Sequence, residues 1–100
     1  MTDAPDTPQL TVVDDADRSQ YVARWGDSVA GVAMYQLTPQ LIVFTHTEVD
    51  EAFEGHGVGS TLARAALDDV RADGRRKVVA RCPFIKGWID RHPDYKDLLE

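Results

Sequence analysis

Apolar positions fall into three kinds of run along this chain, and each kind predicts a different element. The first is compact: "LTVV", Leu10–Val13, is a β-branched patch that predicts a strand, followed by an acidic turn, "DDAD", at 14–17. The second kind alternates. From Arg18 the pattern is β-like, and "SQYVARW" runs into Gly26-Asp27, a two-residue hairpin signal from which "SVAGVAMYQL" returns. Strict alternation puts Val29, Gly31, Ala33, Tyr35 and Leu37 on one face of that strand, and Ala30 and Met34 on the other. Thr38-Pro39 breaks it, and "QLIVFTHTEV" at 40–49 carries the strongest strand signal in the chain. Short connections make these runs an antiparallel meander.

The third kind is helical. Val58, Leu62, Ala66 and Val70 recur every four residues, with Ala63 and Leu67 beside them, so 57–73 reads as an amphipathic helix ended by Gly74. "KVVARC", Lys77–Cys82, then predicts a strand that rejoins the sheet after a helical crossover. Pro83 suits the first turn of a short helix, "FIKGWIDR", which His92-Pro93 stops, and "DYKDLL" adds a last turn. Four strands, a helix, a strand and a helix make an α+β fold: a mixed sheet with its helices late in the chain.

Composition narrows the class. One hundred residues hold one core, assigned here to 10–100, while 1–9, with Pro5 and Pro8, reads as a disordered tail. No apolar run approaches the ~20 residues of a membrane span. The polar, acidic start "MTDAPDTPQL" resembles neither a signal nor a transit peptide, so the expected location is cytoplasmic. A single cysteine, Cys82, and scattered His46, His56 and His92 predict no metal site. The net charge of −6 argues against a nucleic-acid partner. Basic residues nevertheless gather between Arg71 and Arg91, either as an ordinary solvated face or as a rim for a polyanion.

"EGHGVGSTL" places Gly55, Gly57 and Gly59 immediately before the long helix. Its spacing is G-x-G-x-G, with Ser60 where a dinucleotide-binding fingerprint needs its third glycine, and no Gly-Lys-[Ser/Thr] follows. Two readings stay open on spacing alone. The glycines make a tight strand-to-helix turn, or they let a phosphate reach the free N–H groups and positive dipole end of the helix.

The hexapeptide "EGHGVG" resembles motif A of the GNAT superfamily of acetyl-CoA-dependent N-acetyltransferases, with Gly57 and Gly59 in the glycine positions. Glu54 stands where that motif has Gln or Arg. Cys82–Phe84 and Arg91–Tyr95 extend the similarity to the small standalone YjdJ-type proteins over roughly residues 10–99. The resemblance implies a GNAT-like sheet truncated on its C-terminal side, with acetyl-CoA or CoA as the bound ligand. Pyrophosphate would lie on Gly55, His56, Gly57, Val58, Gly59 and Ser60, with Arg64 and Lys86 as further phosphate contacts. Pantetheine would run beside Thr45–Val49, touching Thr47 and Val49, where that strand splays from Lys77–Cys82.

Acetyl transfer to a primary amine needs a proton acceptor, a polarised thioester carbonyl and a proton donor for the thiolate. Glu48 is the expected general base. Cys82 has two readings: a thiol made reactive at a helix N-terminus, acting by attack or as a proton donor, or a small buried hydrophobe. His56 reads as a loop histidine near phosphate or in solvent, and His92 and Tyr95 as hydrogen-bonded supports of the last helix. The expected acceptor is an amine, including a basic protein side chain. A CoA-binding sensor or interaction module without turnover is the rival function.

Overall fold

The computed structural model describes residues 10–100; the predicted tail, 1–9, lies outside the described residues. Five strands form one sheet in sequence order: β1 (Leu10–Asp15), β2 (Gln20–Trp25), β3 (Ser28–Leu37), β4 (Leu41–Val49) and β5 (Lys77–Ala80). The first four pair antiparallel, and β5 joins β4 parallel after the crossover helix α1 (Val58–Asp73). Helix α2 (Pro83–Arg91) and a 3-10 segment, Pro93–Leu98, close the chain. No helix of the described residues is long and apolar enough to cross a membrane.

Where the structure departs from the expected boundaries, side-chain roles explain it. Asp14 and Asp15 extend β1 instead of turning, paired with Tyr21 and Gln20. The turn falls at Ala16–Arg18 and is completed by Ser19 in the left-handed region, φ 53°. Simple alternation fails in β3. Gly31 pairs with Ala23 but Val29 with Arg24, so Ala30 is an extra residue there. Ala30 is therefore buried while Val29 is 47% exposed, the reverse of the alternation.

Both helices pack on one face of the sheet. Leu62, Ala63, Ala66 and Leu67 of α1 are fully buried there, in one cluster with Ala33, Phe44, Val78 and the α2 residues Ile85, Trp88 and Ile89. The other face is uncovered and carries Val13 and Met34 to solvent. Seating α1 this closely requires Gly31: a Cβ there would lie 2.7 Å from the Glu48 carbonyl oxygen and 3.1 Å from Val58 Cγ1.

Three tyrosines bind the elements together through aspartates distant in sequence. Tyr21 Oη donates to Asp69 of α1 at 2.6 Å, Tyr35 Oη to Asp14 of β1, and Tyr95 Oη to Asp68 of α1 at 2.7 Å. Hydrogen bonds to a charged acceptor contribute about 1.5–3 kcal/mol each. Burial, and then the carboxylate on each hydroxyl, hold the Tyr21 and Tyr35 phenols protonated far above their ordinary range.

The pH dependence follows. The unfolded chain releases these protons near pH ~10, whereas the folded chain keeps them, so stability that is complete below that pH declines as pH rises beyond it. Urea unfolding at about pH 8 and about pH 11 should show a loss that is clearly smaller in the Tyr21→Phe/Tyr35→Phe double variant. An equal loss in both proteins would reject the assignment.

Candidate functional site: an opening between two strands beside a helix N-terminus

The parallel pairing of β4 with β5 runs from Leu41–Lys77 to Phe44–Ala80. It ends on one atom. The Phe44 carbonyl accepts both Arg81 N–H, at 3.0 Å, and Cys82 N–H, at 2.9 Å. Arg81 and Cys82 thus lie past the strand they were expected to extend. Beyond Phe44, β4 continues against β3 alone, through His46–Met34 to Val49–Gly31. Backbone polar groups of Thr45–Val49 on the β5 side are left without a strand partner, so the two strands part.

A bulge decides which side chains enter this opening. Tyr35 pairs with Phe44 and Met34 with His46, making Thr45 the extra residue. The bulge shifts the phase of β4. Thr47 and Val49 take the helix-covered face with Phe44, while His46 and Glu48 take the uncovered face. Counting by twos from Phe44 would give the opposite result. Thr47 Oγ1 reaches Cys82 Sγ at 3.2 Å across the opening. The thiol is buried at the N-cap of α2, and no side chain caps that helix. Glu48 instead meets His46 Nε2 at 3.1 Å and is 68% exposed. The two expected catalytic residues therefore lie on opposite faces of β4.

The glycine loop is anchored at its near end. Asp50 accepts from Ala52 N–H at 2.9 Å and gives its own N–H to Ala30 O at 2.8 Å. Phe53 and His56 then rest on Trp25, with ring centroids 5.8 and 4.9 Å away, so His56 is exposed but held against the indole. Gly55 and Gly57 adopt φ of 86° and 75°, where L side chains are strained. A Cβ at either would meet nothing within 4 Å, so the space in front of them is open. Gly59 is different: its Cβ would lie 2.7 Å from the Phe84 ring. The third glycine makes room for a side chain of α2 rather than for a ligand.

Gly57 is the N-cap of α1, and no side chain caps the helix. Thr61 N–H bonds to Gly57 O, which leaves the preceding N–H groups of Val58, Gly59 and Ser60 pointing out of the helix end. No acidic residue occupies the first turn. These donors, the open space at Gly55 and Gly57, and the unneutralised helix dipole suit a phosphate. Phe84, two residues after Cys82, brings the thiol and this helix end to one side of the molecule.

The expected basic contacts separate. Arg64 lies on α1 in line with Ser60, and both line a shallow cavity with Thr61, Ala65 and Asp68. Lys86 faces Ala80 and Leu99 on the far side of α2, near Asp90 at 3.7 Å, and is not brought to the loop. Most of the basic run is used within the chain. Arg71 binds Asp97, Arg75 and Arg76 meet Asp73, and Lys77 donates to Asp97 O. The Arg71 bond holds the Asp97 carboxyl below its ordinary range. His92 stacks on Trp88 at 3.8 Å and contacts its carbonyl at 2.7 Å, a support for α2.

A sheet whose parallel pair, β4 with the edge strand β5, opens beside an uncapped, glycine-entered helix has the architecture of the acyl-CoA N-acyltransferases. The chain belongs to the GCN5-related N-acetyltransferase family, whose model matches residues 20–98. It is similar to Protein NATD1 of cattle, 34% identical over 84% of this chain and 75% of the relative. Human NATD1 is 33% identical over 84% of this chain and 75% of that protein. The solution structure of a GCN5-like protein from Staphylococcus aureus superposes with a TM-score of 0.67 at 19% identity, covering 96% of this chain and 91% of the other, which supports the fold.

The Gly59–Phe84 contact is testable by itself. Gly59→Ala should cost about 1–3 kcal/mol in urea unfolding. Combining it with Phe84→Ala should cost clearly less than the sum of the single changes. Additive costs would mean that Phe84 does not dictate the glycine.

Proposed function

We propose that this chain binds acetyl-CoA and transfers its acetyl group to a primary amine, in the manner of the small YjdJ-type members of the family. One observation carries the reading: the β4–β5 opening and the uncapped start of α1 lie together, joined by Cys82 and Phe84. The N–H groups of Val58, Gly59 and Ser60 would hold the pyrophosphate, with Gly55, His56 and Gly57 forming the loop around it. Thr47, Val49 and the unpaired backbone of β4 would line the pantetheine. Bound acetyl-CoA supplies an acyl carbon activated by its thioester.

The protein's own part is to place donors and move protons. Backbone N–H groups in the opening would donate to a bound thioester's carbonyl oxygen and stabilise the negative charge that acyl transfer develops there. Glu48, on the uncovered face, takes the proton of the incoming amine, and His46 orients its carboxylate. The Cys82 thiol and Thr47 hydroxyl, 3.2 Å apart across the opening, would supply the proton that a leaving thiolate needs. The acidic surface suits a basic acceptor such as a protein lysine.

The separation of Glu48 from Cys82 favours a second reading, a CoA-binding module without turnover. Calorimetric titration with acetyl-CoA and an acetyl-transfer assay on a panel of amines distinguish the two. Binding and transfer are expected, with transfer reduced in Glu48→Gln at unchanged acetyl-CoA affinity. Gly57→Val should lose about tenfold or more in affinity while its far-ultraviolet circular dichroism stays native. Binding without transfer to any amine selects the module. No binding at millimolar ligand rejects both.

A further inference from the structure

Among the described residues Arg64 is held in its own way. Arg18, Arg71, Arg75, Arg76 and Lys86 each meet a carboxylate, and Arg24 and Lys77 donate to backbone carbonyls. Arg64 meets a phenol: its NH1 group donates to Tyr95 Oη at 3.2 Å, and the Tyr95 hydroxyl in turn donates a hydrogen bond to Asp68 at 2.7 Å. The guanidinium carbon lies 5.3 Å from the centre of the Trp88 ring and 5.8 Å from that of Tyr95. Asp68 thus orders the phenol without forming an ion pair with the arginine. The result is a cation fixed by a hydrogen bond and two aromatic faces, with no carboxylate in direct contact among the described residues and with Asp68 held one phenol away.

Its place on the helix gives this arrangement a use. Arg64 follows Ser60 by four residues, on the same face and about 6 Å along the axis. Both line the same cavity of about 280 Å³, which opens on the helix surface beside the N-terminus. A ligand with one phosphate group on the N–H groups of residues 58–60 and a second a few bonds away would present the second to Arg64. Coenzyme A has such a pair: its pyrophosphate and the 3′-phosphate of the adjoining ribose.

We propose that Arg64 is a specificity-determining residue that binds the ribose 3′-phosphate of CoA, and that Tyr95 is the residue that positions it. The inference rests on the reading of residues 57–60 as the pyrophosphate seat. It also gives the C-terminal 3-10 segment a part in ligand choice, because Tyr95 belongs to that segment.

Calorimetric titration of the full chain with CoA and with 3′-dephospho-CoA tests this directly. The wild-type chain should prefer CoA by about tenfold, the scale of one charge-assisted contact. Arg64→Met keeps an unbranched aliphatic side chain without the charge and should bring the preference close to one, leaving dephospho-CoA affinity within about twofold. Arg64→Lys should keep part of the preference, because the charge remains without the fork. Tyr95→Phe should reduce it without abolishing dephospho-CoA binding. Equal wild-type affinity for the two ligands overturns the inference and leaves the pyrophosphate seat standing. A preference that survives in Arg64→Met also overturns it, assigning the phosphate to another group. Failure of the wild-type chain to bind either ligand overturns the seat and this inference with it.

Discussion

The arrangement of the site depends on one carbonyl oxygen. Phe44 O takes the N–H groups of both Arg81 and Cys82, and with that double acceptance the β4–β5 ladder stops. A regular parallel ladder would have spent the backbone of Thr45–Val49 on β5. Here those groups stay unspent, and the chain leaving β5 turns at Pro83 into α2. The Thr45 bulge acts at the same level of the sheet, turning Thr47 toward Cys82 and Glu48 away. Two irregularities at adjacent residues of β4 thus convert an ordinary sheet into one with an opening, at the end of the sheet where α1 begins.

The helix end must then be held in place, and the acidic composition contributes to that. Asp69 and Asp68 on α1, and Asp14 on β1, each accept a hydrogen bond from a tyrosine hydroxyl, and Asp97 pairs with Arg71. A chain with net charge −6 therefore uses several of its acids as internal acceptors and does not leave them all on a solvated face. Gly31 allows α1 to approach β3, and Gly59 allows Phe84 of α2 to approach α1. These contacts place the first turn of α1 without any side chain reaching back to cap it.

Much of this was legible in the sequence, because local chemistry determines it. The alternation of 20–37, the four-residue period of 58–70, and the punctuation by Gly26, Gly74, Pro83 and Pro93 mark the elements to within a few residues. The loop was legible as a possible anion seat, since glycine and a following helix are both local features. The bulges at Ala30 and Thr45 were not: each depends on what the neighbouring strand does, and each reverses the face of the residues beyond it. Nor were the tyrosine bonds to Asp69, Asp14 and Asp68, whose partners lie 48, 21 and 27 residues away. Gly59 shows the difference most clearly. Its spacing leaves a tight turn and ligand approach equally open, and its surroundings show that its missing side chain makes room for Phe84.

The central claim is that the open strand edge and the helix N-terminus form one continuous binding surface. Mapping backbone amide shifts by NMR, during titration with acetyl-CoA, tests it most directly. The account predicts saturable shifts at Gly57–Ser60 and at Thr45–Val49 that share one dissociation constant, with the uncovered-face strand residues Thr11 and Val13 unmoved. Shifts confined to one of the two segments, different constants for the two, or a response centred on Thr11 and Val13 would contradict it.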